Sequence, residues 1–364
     1  MTRLLMTADA VGGVWQYALE LAAALAPLGI DAHLALLGPA LSPAQRDRAA
    51  ALGVSYTETG LPLDWLAQDA SEVRRTADAL AKAAALHGAD VVQLNQPAFA
   101  LADYAMPVVA VAHSCVASWW DAVEQAPLPA DLAWQAALTG DGLARADLSV
   151  CPSAALADTL ERLYALPRRP QVVHNGRTPI AIGVPSTDAF AGHVFTAGRL
   201  WDRGKDAATL DRAAARARLS VRAAGPLAGP HGEQIAFAHL QTLGSLSDAA
   251  IADHLSARPI FASAARYEPF GLAVLEAATA GCALVLSDIP TFRELWDGAA
   301  TFVAPGDDAT FAQAIDALAS DSAGRHEAGE RARARAARYT PAVNARGMAA
   351  IYARAVAPRQ RVAA

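Results

Sequence analysis

Two glutamates eight positions apart, Glu268 and Glu276, are the residues whose types and spacing best fit ligand chemistry. The segment that joins them is typical of the end of a buried strand, a turn at Gly271 and the start of a helix. Gly271 would let the backbone approach a ligand closely, and the unpaired N–H groups of the helix would attract an anion. We therefore expect a phosphate-bearing ligand to lie between the two carboxylates. The alternative is an ordinary strand–turn–helix with two solvated glutamates.

Two cations, Arg199 and Lys205, follow an earlier apolar strand in the run Ala197-Gly-Arg-Leu-Trp-Asp-Arg-Gly-Lys205. Arginine presents a fork of donors that suits phosphate oxygens, and lysine adds a mobile point charge. Positioned cations of this kind stabilise a diphosphate leaving group as its negative charge grows. The alternative interpretation is that both side chains only form surface ion pairs.

A glycine pair, Gly12 and Gly13, ends the first strand and opens a helix. Such a pair permits a tight turn whose N–H groups can approach a phosphate or an acceptor sugar. It differs from the Gly-x-Gly-x-x-Gly pattern of dinucleotide enzymes because the next four residues supply no third glycine. His113 ends the apolar strand Val108 to Ala112, where a histidine serves either as a structural hydrogen-bonding group or as a ligand contact.

Together these motifs resemble the retaining, nucleotide-sugar-dependent glycosyltransferases of the GT-B fold, specifically family four with its Glu-x7-Glu signature. The resemblance covers nearly the whole chain, and further short motifs support it in the family's order: Val11-Gly-Gly-Val14, Val111-Ala-His113, Cys151-Pro-Ser153 and His174-Asn-Gly176. It implies an α/β architecture of two Rossmann-like domains facing a central cleft, with a C-terminal helix that crosses back to the first domain.

The resemblance also implies roles for individual residues. Glu276 would bind the ribose of the nucleotide, Glu268 would hold hydroxyls of the donor sugar, and His113 would lie against the transferred sugar. The catalytic residues implied are His113, Glu268, Arg199 and Lys205. The donor-binding residues implied are Gly12, Gly13, Arg199, Lys205, Leu246, Phe270, Gly271, Leu272, Ala273 and Glu276. The aromatic residues Trp119 and Trp120, which we expect in a loop, and Trp15 are candidates for acceptor contact, although such residues can equally anchor a loop in the core.

Strand-like and helix-like patterns alternate along most of the chain, which predicts parallel sheets with helices on both faces. Ligands of such sheets bind beyond the carboxyl ends of the strands. A Pro- and Gly-rich stretch at 177–188 predicts a linker. We therefore expect an acceptor-side domain at 1–180, a nucleotide-sugar-binding domain at 189–340, and a last helix within 341–364 that returns to the first domain.

Composition and patterning argue against a nucleic-acid-binding, secreted or membrane-spanning protein. The net charge of −6 disfavours nucleic acid as a partner, and three cysteines without metal-like spacing predict reduced thiols in the cytoplasm. No apolar stretch reaches the length of a membrane span, and the start of the chain lacks a signal-peptide pattern. We expect the Arg-rich helix predicted at 325–338 to present a solvated face. The alternative is that it makes peripheral contact with anionic lipid.

The sequence thus predicts a metal-independent enzyme without a cofactor. The resemblance implies that it would transfer a hexosyl group, with retention, from a nucleoside-diphosphate sugar to the hydroxyl of an unidentified acceptor, which we expect to be soluble. We expect a UDP-sugar first and a GDP-sugar next, following the family. The alternatives are a GT-B epimerase or phosphorylase and, in another class, a nucleotide-dependent oxidoreductase or a non-catalytic sugar-nucleotide binder.

Overall fold

The computed structural model of the protein describes residues 1–179, 190, 192–230 and 232–357. Its contacts divide the chain into two compact units. The first unit comprises Met1–Asp121, Ala126–Gly176 and Pro341–Ala364, and the second comprises Ala122–Gln125 and Arg177–Thr340. The predicted linker lies outside the described residues from position 180 onward.

The first unit is built on a parallel sheet. Its strands are β1 (Thr2–Asp9), β2 (Ile30–Leu37), β3 (Ser55–Glu58), β4 (Val91–Leu94), β5 (Val108–Val111), β6 (Leu148–Cys151) and β7 (Gln171–Val172). Their spatial order is β3-β2-β1-β4-β5-β6-β7. The helices of residues 1–179 are α1 (Gly13–Leu25), α2 (Pro43–Ala51), α3 (Ala70–His87), α4 (Val116–Val123), α5 (Ala133–Arg145) and α6 (Ala154–Tyr164).

The second unit holds another parallel sheet, with its own set of helices. The strands are β8 (Val194–Ala197), β9 (Val221–Ala224), β10 (Gln241–Gly244), β11 (Ile260–Ser263), β12 (Leu284–Ser287) and β13 (Thr301–Val303). Their order is β10-β9-β8-β11-β12-β13. The helices are α7 (Ala207–Ala214), α8 (Asp248–Ser256), α9 (Leu272–Thr279), α10 (Pro290–Trp296), α11 (Asp308–Ser320) and α12 (Ser322–Ala336).

The last helix, α13 (Pro341–Val356), belongs to the first unit and packs against α1. It buries Ala345, Met348, Ile351 and Tyr352 in an apolar cluster that also contains residues of α1 and β1. The predicted architecture of two parallel-sheet α/β domains is confirmed, and so is the return of the last helix to the first domain.

Strand β1 shows why the strands of this fold appear as continuous apolar runs. Leu4 and Met6 lie in the apolar cluster with α1 and α13, whereas Leu5 lies in the cluster with α3. Successive side chains of a strand point to opposite faces of the sheet. Both faces are therefore covered, and neither leaves room for the polar alternation of a half-exposed strand.

The structure corrects one local prediction, because Trp119 and Trp120 lie in helix α4 rather than in a loop. The start of α4 is held by reciprocal contacts between Cys115 and Ser118. The Cys115 amide donates to Ser118 Oγ at 3.2 Å, and the Ser118 amide donates to Cys115 Sγ at 3.4 Å. This arrangement resembles a capping box in which sulfur replaces the usual oxygen. Cysteine is not a usual capping residue, so no local pattern indicates a helix start here.

The predicted Arg-rich helix corresponds to α12, and its arginines contact the protein itself. Arg331 pairs with Glu327 at 2.7 Å, and Arg333 pairs with Glu330 at 2.6 Å. Arg335 donates to the carbonyl of Leu295 at 3.1 Å. Within the described ranges, every helix is too short or too polar to traverse a lipid bilayer.

Candidate functional site

Each sheet has one point where its strand order reverses, between β1 and β4 in the first unit and between β8 and β11 in the second. Ligands of open parallel sheets bind outside the carboxyl ends of the strands at such a point. Arg199 follows β8, and Glu268 follows β11. In the first unit Gly12 follows β1, and His113 follows β5, which lies on the other side of β4. These four residues therefore lie at the carboxyl edges of the two sheets, where parallel sheets bind ligands.

Lys205 and Glu268 form the centre of the site in the second unit. The Lys205 Nζ–Glu268 Oε2 distance is 2.5 Å, and both side chains are largely shielded, with 21% and 17% of their surfaces exposed. They line a pocket together with Gly198, Ser263 and Ala273. A cation and an acceptor-only carboxylate thus lie side by side, which suits a ligand that carries both phosphate and hydroxyl groups.

The backbone around Lys205 is fixed to the loop that carries Glu268. The Gly204 carbonyl accepts hydrogen bonds from the amides of Arg266 at 2.9 Å and Tyr267 at 3.1 Å. Asp206 adopts a left-handed conformation at φ +45° and accepts a hydrogen bond from Arg266 Nε at 2.9 Å. A non-glycine residue in this region is strained and persists only where its surroundings hold it. These contacts bring Lys205 and Glu268 together.

Arg199 lies beside the same loop but is more exposed. Its Nη2 atom donates to Asp202 Oδ2 at 2.9 Å, and 56% of its side-chain surface is exposed while Asp202 is buried. The guanidinium carbon also lies 5.8 Å from the centroid of the Trp201 ring. The predicted surface ion pair therefore exists, yet the exposed guanidinium can still reach a ligand.

Glu276 is the fifth residue of α9 and forms an ion pair with Arg177. The Arg177 Nε–Glu276 Oε1 distance is 2.6 Å, and only 5% and 12% of the two side chains are exposed. A second carboxylate, Asp248 at the start of α8, lies 3.4 Å from Arg177 Nη2. Arg177 thus fixes the orientation of the Glu276 carboxylate.

The turn between Glu268 and Glu276 has the backbone conformation that we expect where a ligand approaches the chain closely. Gly271 has φ +93°, a left-handed conformation that glycine adopts without strain, and it precedes the first residue of α9. Phe270 is buried, with its ring edge against Tyr339 at 5.7 Å between centroids. Leu272 and Ala273 are partly buried in the first turn of α9, and Leu246, which follows β10, packs partly buried against the same core.

The turn at Gly12 in the first unit has free space around it. Gly12 has φ +80°, and a Cβ placed there would meet no atom within 4 Å, so conformation rather than space requires glycine. Gly13 is exposed at the first position of α1. Trp15 is 5% exposed and lies in the core of the first unit, so its position does not support the predicted acceptor contact. Trp119 and Trp120 are half-buried, with ring centroids 6.1 Å apart.

His113 is half-buried, and its Nε2 atom lies 3.0 Å from Asn95 Oδ1. The edge of the Tyr17 ring meets it at 4.5 Å between centroids. Desolvation lowers the pKa of His113 from its ordinary value of 6.5 to about 4, so the imidazole is neutral at pH 7. A neutral imidazole in this place can exchange hydrogen bonds with a sugar but adds no positive charge.

Several residues that hold the site leave little signal in the sequence. Arg177, Asp206 and Arg266 are ordinary charged residues in loops, and nothing in their spacing indicates their partners. Gln93 and Asn95 did leave a signal, because they place amides in and directly after the apolar strand β4, where both are buried. A buried amide requires hydrogen-bond partners and so indicates an organised polar cluster.

A further signal lies in the choice of basic residues. The chain has two lysines, Lys82 and Lys205, against 28 arginines. Lysine at position 205 therefore departs from a strong preference of this sequence for arginine. Among the described residues, His, Cys, Asp and Glu side chains form no group of three or more that would hold a metal ion.

Two protein-family models match the chain. One describes Glycosyltransferase Family 4 and matches residues 11–179, and the other describes Glycosyl transferases group 1 and matches residues 236–335. No curated protein sequence matches the chain.

Solved glycosyltransferase structures share the fold over almost the whole chain. Sucrose-phosphate synthase from Thermosynechococcus elongatus is 16% identical, with a TM-score of 0.76 over 97% of this chain and 99% of that one. HepE from Anabaena in complex with UDP-glucose is 17% identical, with a TM-score of 0.75 over 97% and 100% of the two chains. A glycosyltransferase from Rickettsia africae is 16% identical, with a TM-score of 0.71 over 98% and 99%. The chain therefore has the GT-B fold, its residues 11–179 and 236–335 match two glycosyltransferase models, and it is a glycosyltransferase.

Proposed function

We propose that the enzyme transfers a hexosyl group from a nucleoside-diphosphate sugar, preferably a UDP-sugar, to an acceptor hydroxyl with retention of anomeric configuration. The observation that carries the proposal is the convergence of Lys205, Glu268 and Arg199 at the switch point of the second sheet, with Glu276 in the adjoining helix. The similar fold of HepE, whose structure is a complex with UDP-glucose, supports the choice of uridine.

The second unit would bind the donor. Arg199 and Lys205 would contact the diphosphate, and the amides of Phe270, Gly271, Leu272 and Ala273 at the start of α9 would receive the distal phosphate. Glu276 would accept hydrogen bonds from the ribose, with its carboxylate oriented by Arg177. Main chain near Leu246 would contact the base.

When the donor binds, the ion pair between Lys205 and Glu268 would break, or both residues would also contact the donor. In the structure Lys205 Nζ and Glu268 Oε2 lie 2.5 Å apart, and the two charges neutralise each other. A diphosphate would attract Lys205, and Glu268 would then accept hydrogen bonds from the sugar hydroxyls. The ion pair thus keeps two charged groups stable in a shielded site until a ligand supplies other partners.

The first unit would contribute His113 against the transferred sugar, and Gly12 and Gly13 near the phosphates. The mechanism would be front-face displacement, in which the leaving phosphate takes the proton of the acceptor hydroxyl. The charges of Arg199 and Lys205 would serve where other transferases use a divalent ion, so the reaction needs no metal or cofactor. The acceptor would be a soluble hydroxyl compound. Three unpaired cysteines support a reducing compartment, the cytoplasm.

The donor site is tested first by thermal shift with UDP, GDP, ADP and TDP, with EDTA present throughout. A ligand that binds only the folded protein raises the melting temperature. We expect the largest shift with UDP, and we expect Lys205→Ala and Glu276→Ala to abolish it. A clear shift with NADH and none with any nucleoside diphosphate would contradict the proposal.

The chain offers a matched control, since Lys82 is the other lysine and lies exposed on α3. Lys82→Ala removes the same charge and should keep the full shift with UDP. Hydrolysis or transfer of a UDP-sugar, followed by NMR of the anomeric proton, then tests catalysis and retention. A product of inverted configuration, or turnover that EDTA abolishes, would refute that part of the proposal.

A further inference from the structure

Several polar side chains lie buried at the carboxyl ends of β1, β4 and β5. Thr7, Gln93 and Asn95 are at most 5% exposed, and Tyr352 of α13 reaches the same place from the last helix. Buried polar groups are costly unless each finds a partner, so their hydrogen bonds can be assigned one by one.

The amide of Asn95 has one orientation that satisfies its neighbours. Its Nδ2 atom faces the backbone carbonyl of Thr7 at 2.5 Å, and a carbonyl can only accept. Asn95 Oδ1 therefore points the other way, toward His113 Nε2 at 3.0 Å. Because an amide oxygen has no proton to give, His113 must carry its proton on Nε2.

The amide of Gln93 is oriented in the same way. Its Nε2 atom donates to Asn95 Oδ1 at 2.9 Å, so its Oε1 faces Tyr352, whose hydroxyl donates to it. Burial raises the pKa of Tyr352 well above its ordinary value, so the phenol keeps the proton that this bond requires. The Tyr17 hydroxyl accepts a longer contact from Gln93 Nε2 at 3.4 Å.

The other ring nitrogen of His113 is then a bare acceptor. None of the described residues forms a hydrogen bond to Nδ1. Nδ1 is also absent from the set of fully buried side-chain atoms without a partner, so it keeps some exposure. It therefore reaches the surface of the unit with its lone pair available. A hydroxyl group of a ligand is the natural donor for such an atom.

We infer that Asn95, Gln93 and Tyr352 form a relay that fixes the Nε2–H tautomer of His113, so that the last helix helps to set which hydrogen bond His113 offers. The three are positioning residues, since His113 alone would meet the sugar. That His113 meets the sugar rests on the proposed function, whereas the tautomer follows from the contacts of the first unit.

The tautomer is measured directly in the ligand-free protein. Long-range ¹H–¹⁵N NMR of ¹⁵N-histidine-labelled protein at pH 7 distinguishes the two neutral tautomers from the imidazolium. The His113 signal is identified by its loss in His113→Gln. We expect the Nε2–H pattern, and an Nδ1–H pattern for His113 would overturn the relay.

Two substitutions test the partners. Tyr352→Phe keeps the packed ring but removes the proton donor to Gln93, so we expect a mixture of His113 tautomers and a fall in kcat of about fivefold, the effect of one ordinary hydrogen bond. Affinity for UDP should not change. Tyr104→Phe is the control, because Tyr104 donates to the Phe99 carbonyl at 3.2 Å outside the relay, and it should leave the His113 signal unchanged.

Asn95→Asp supplies the second test, because a carboxylate beside Nε2–H favours the imidazolium. We expect His113 in this variant to become protonated at a higher pH than in the wild type. A His113 titration identical in the two proteins would overturn the contact with Asn95. If the tautomer patterns hold while no sugar is transferred, the proposed function fails and the relay stands.

Discussion

Arg177 and Glu276 lie 99 positions apart in the sequence, yet they form a deeply buried ion pair in the second unit. Taking two charges out of water is costly, and the attraction between them offsets that cost only while both are present. Asp248 adds little, because 64% of its side chain is exposed and water screens its charge. Each residue of the pair thus depends on the other.

A double-mutant cycle on this pair is therefore informative. We expect Arg177→Met to lower the free energy of unfolding by about 3 kcal/mol, because it removes the buried cation that balances the Glu276 carboxylate. Adding Glu276→Gln should restore at least about 1 kcal/mol of that loss. Urea unfolding of the wild type, the two single variants and the double variant measures the coupling. Strictly additive effects would show that the two charges do not depend on each other.

His113 makes stability depend on pH. Its pKa is about 4 in the folded protein against 6.5 ordinarily, so between these values the unfolded chain binds a proton that the folded protein does not. The free energy of unfolding should therefore fall as the pH drops from 6.5 to 4, by at most about 3 kcal/mol from this residue. Urea unfolding at pH 7.5 and pH 5 measures the loss.

The comparison that isolates His113 uses two variants. His113→Gln removes the titrating ring, and its stability should fall less between the two pH values than that of the wild type. His326→Gln, which replaces an exposed histidine on α12, serves as the control for the loss of one imidazole. Equal pH dependence in all three proteins would mean that His113 does not titrate as the structure implies.

At the scale of elements, helix α12 packs against α9 and closely approaches the turn that follows α9. A Cβ placed on Gly329 in α12 would lie 2.2 Å from the carbonyl oxygen of Gly281, just beyond the end of α9. Real side chains do not tolerate such a distance, so glycine at this position lets the backbones meet. The contact supports α9 and, through it, Glu276.

Gly329→Ala should therefore destabilise the second unit. Alanine is the better helix former by about 1 kcal/mol, but the displaced backbone should cost about 2–3 kcal/mol. Ala334→Gly, at an exposed position of the same helix, should cost only the propensity difference of about 1 kcal/mol. Urea unfolding measures both variants. A stability gain for Gly329→Ala would mean that the two helices can separate freely.

The elements also show what can be predicted from the sequence. The strand predicted at Val108 to Ala112 corresponds to β5 (Val108–Val111), because strands buried on both faces leave continuous apolar runs between polar loops. Helix α4 could not be predicted, because the residue that caps its start, Cys115, is not a usual capping residue. The partners of Arg177, Asp206 and Tyr352 could not be predicted, because contacts over such separations depend on how the sheets are ordered, which local patterns do not encode.

At the scale of the whole molecule, the two units have separate apolar cores. We expect UDP to slow hydrogen exchange most in three segments of the second unit: 197–205, 241–248 and 268–276. Bound ligand stabilises the folded state of the region that holds it. Exchange mass spectrometry of the full chain measures this, and Lys205→Ala should remove the protection. Protection confined to the first unit would contradict the assignment of the donor site.

The return of α13 to the first unit has a consequence for the growing polypeptide. Domains usually fold in the order in which the ribosome releases them. Here the first unit lacks Met348, Ile351 and Tyr352 until residues 341–356 have been translated, although the strands of its sheet emerge long before. The second unit is complete in sequence by Thr340. We therefore expect the nascent chain to finish its second unit before its first, with the face of the early sheet that α13 covers left open until residues 341–356 have been made.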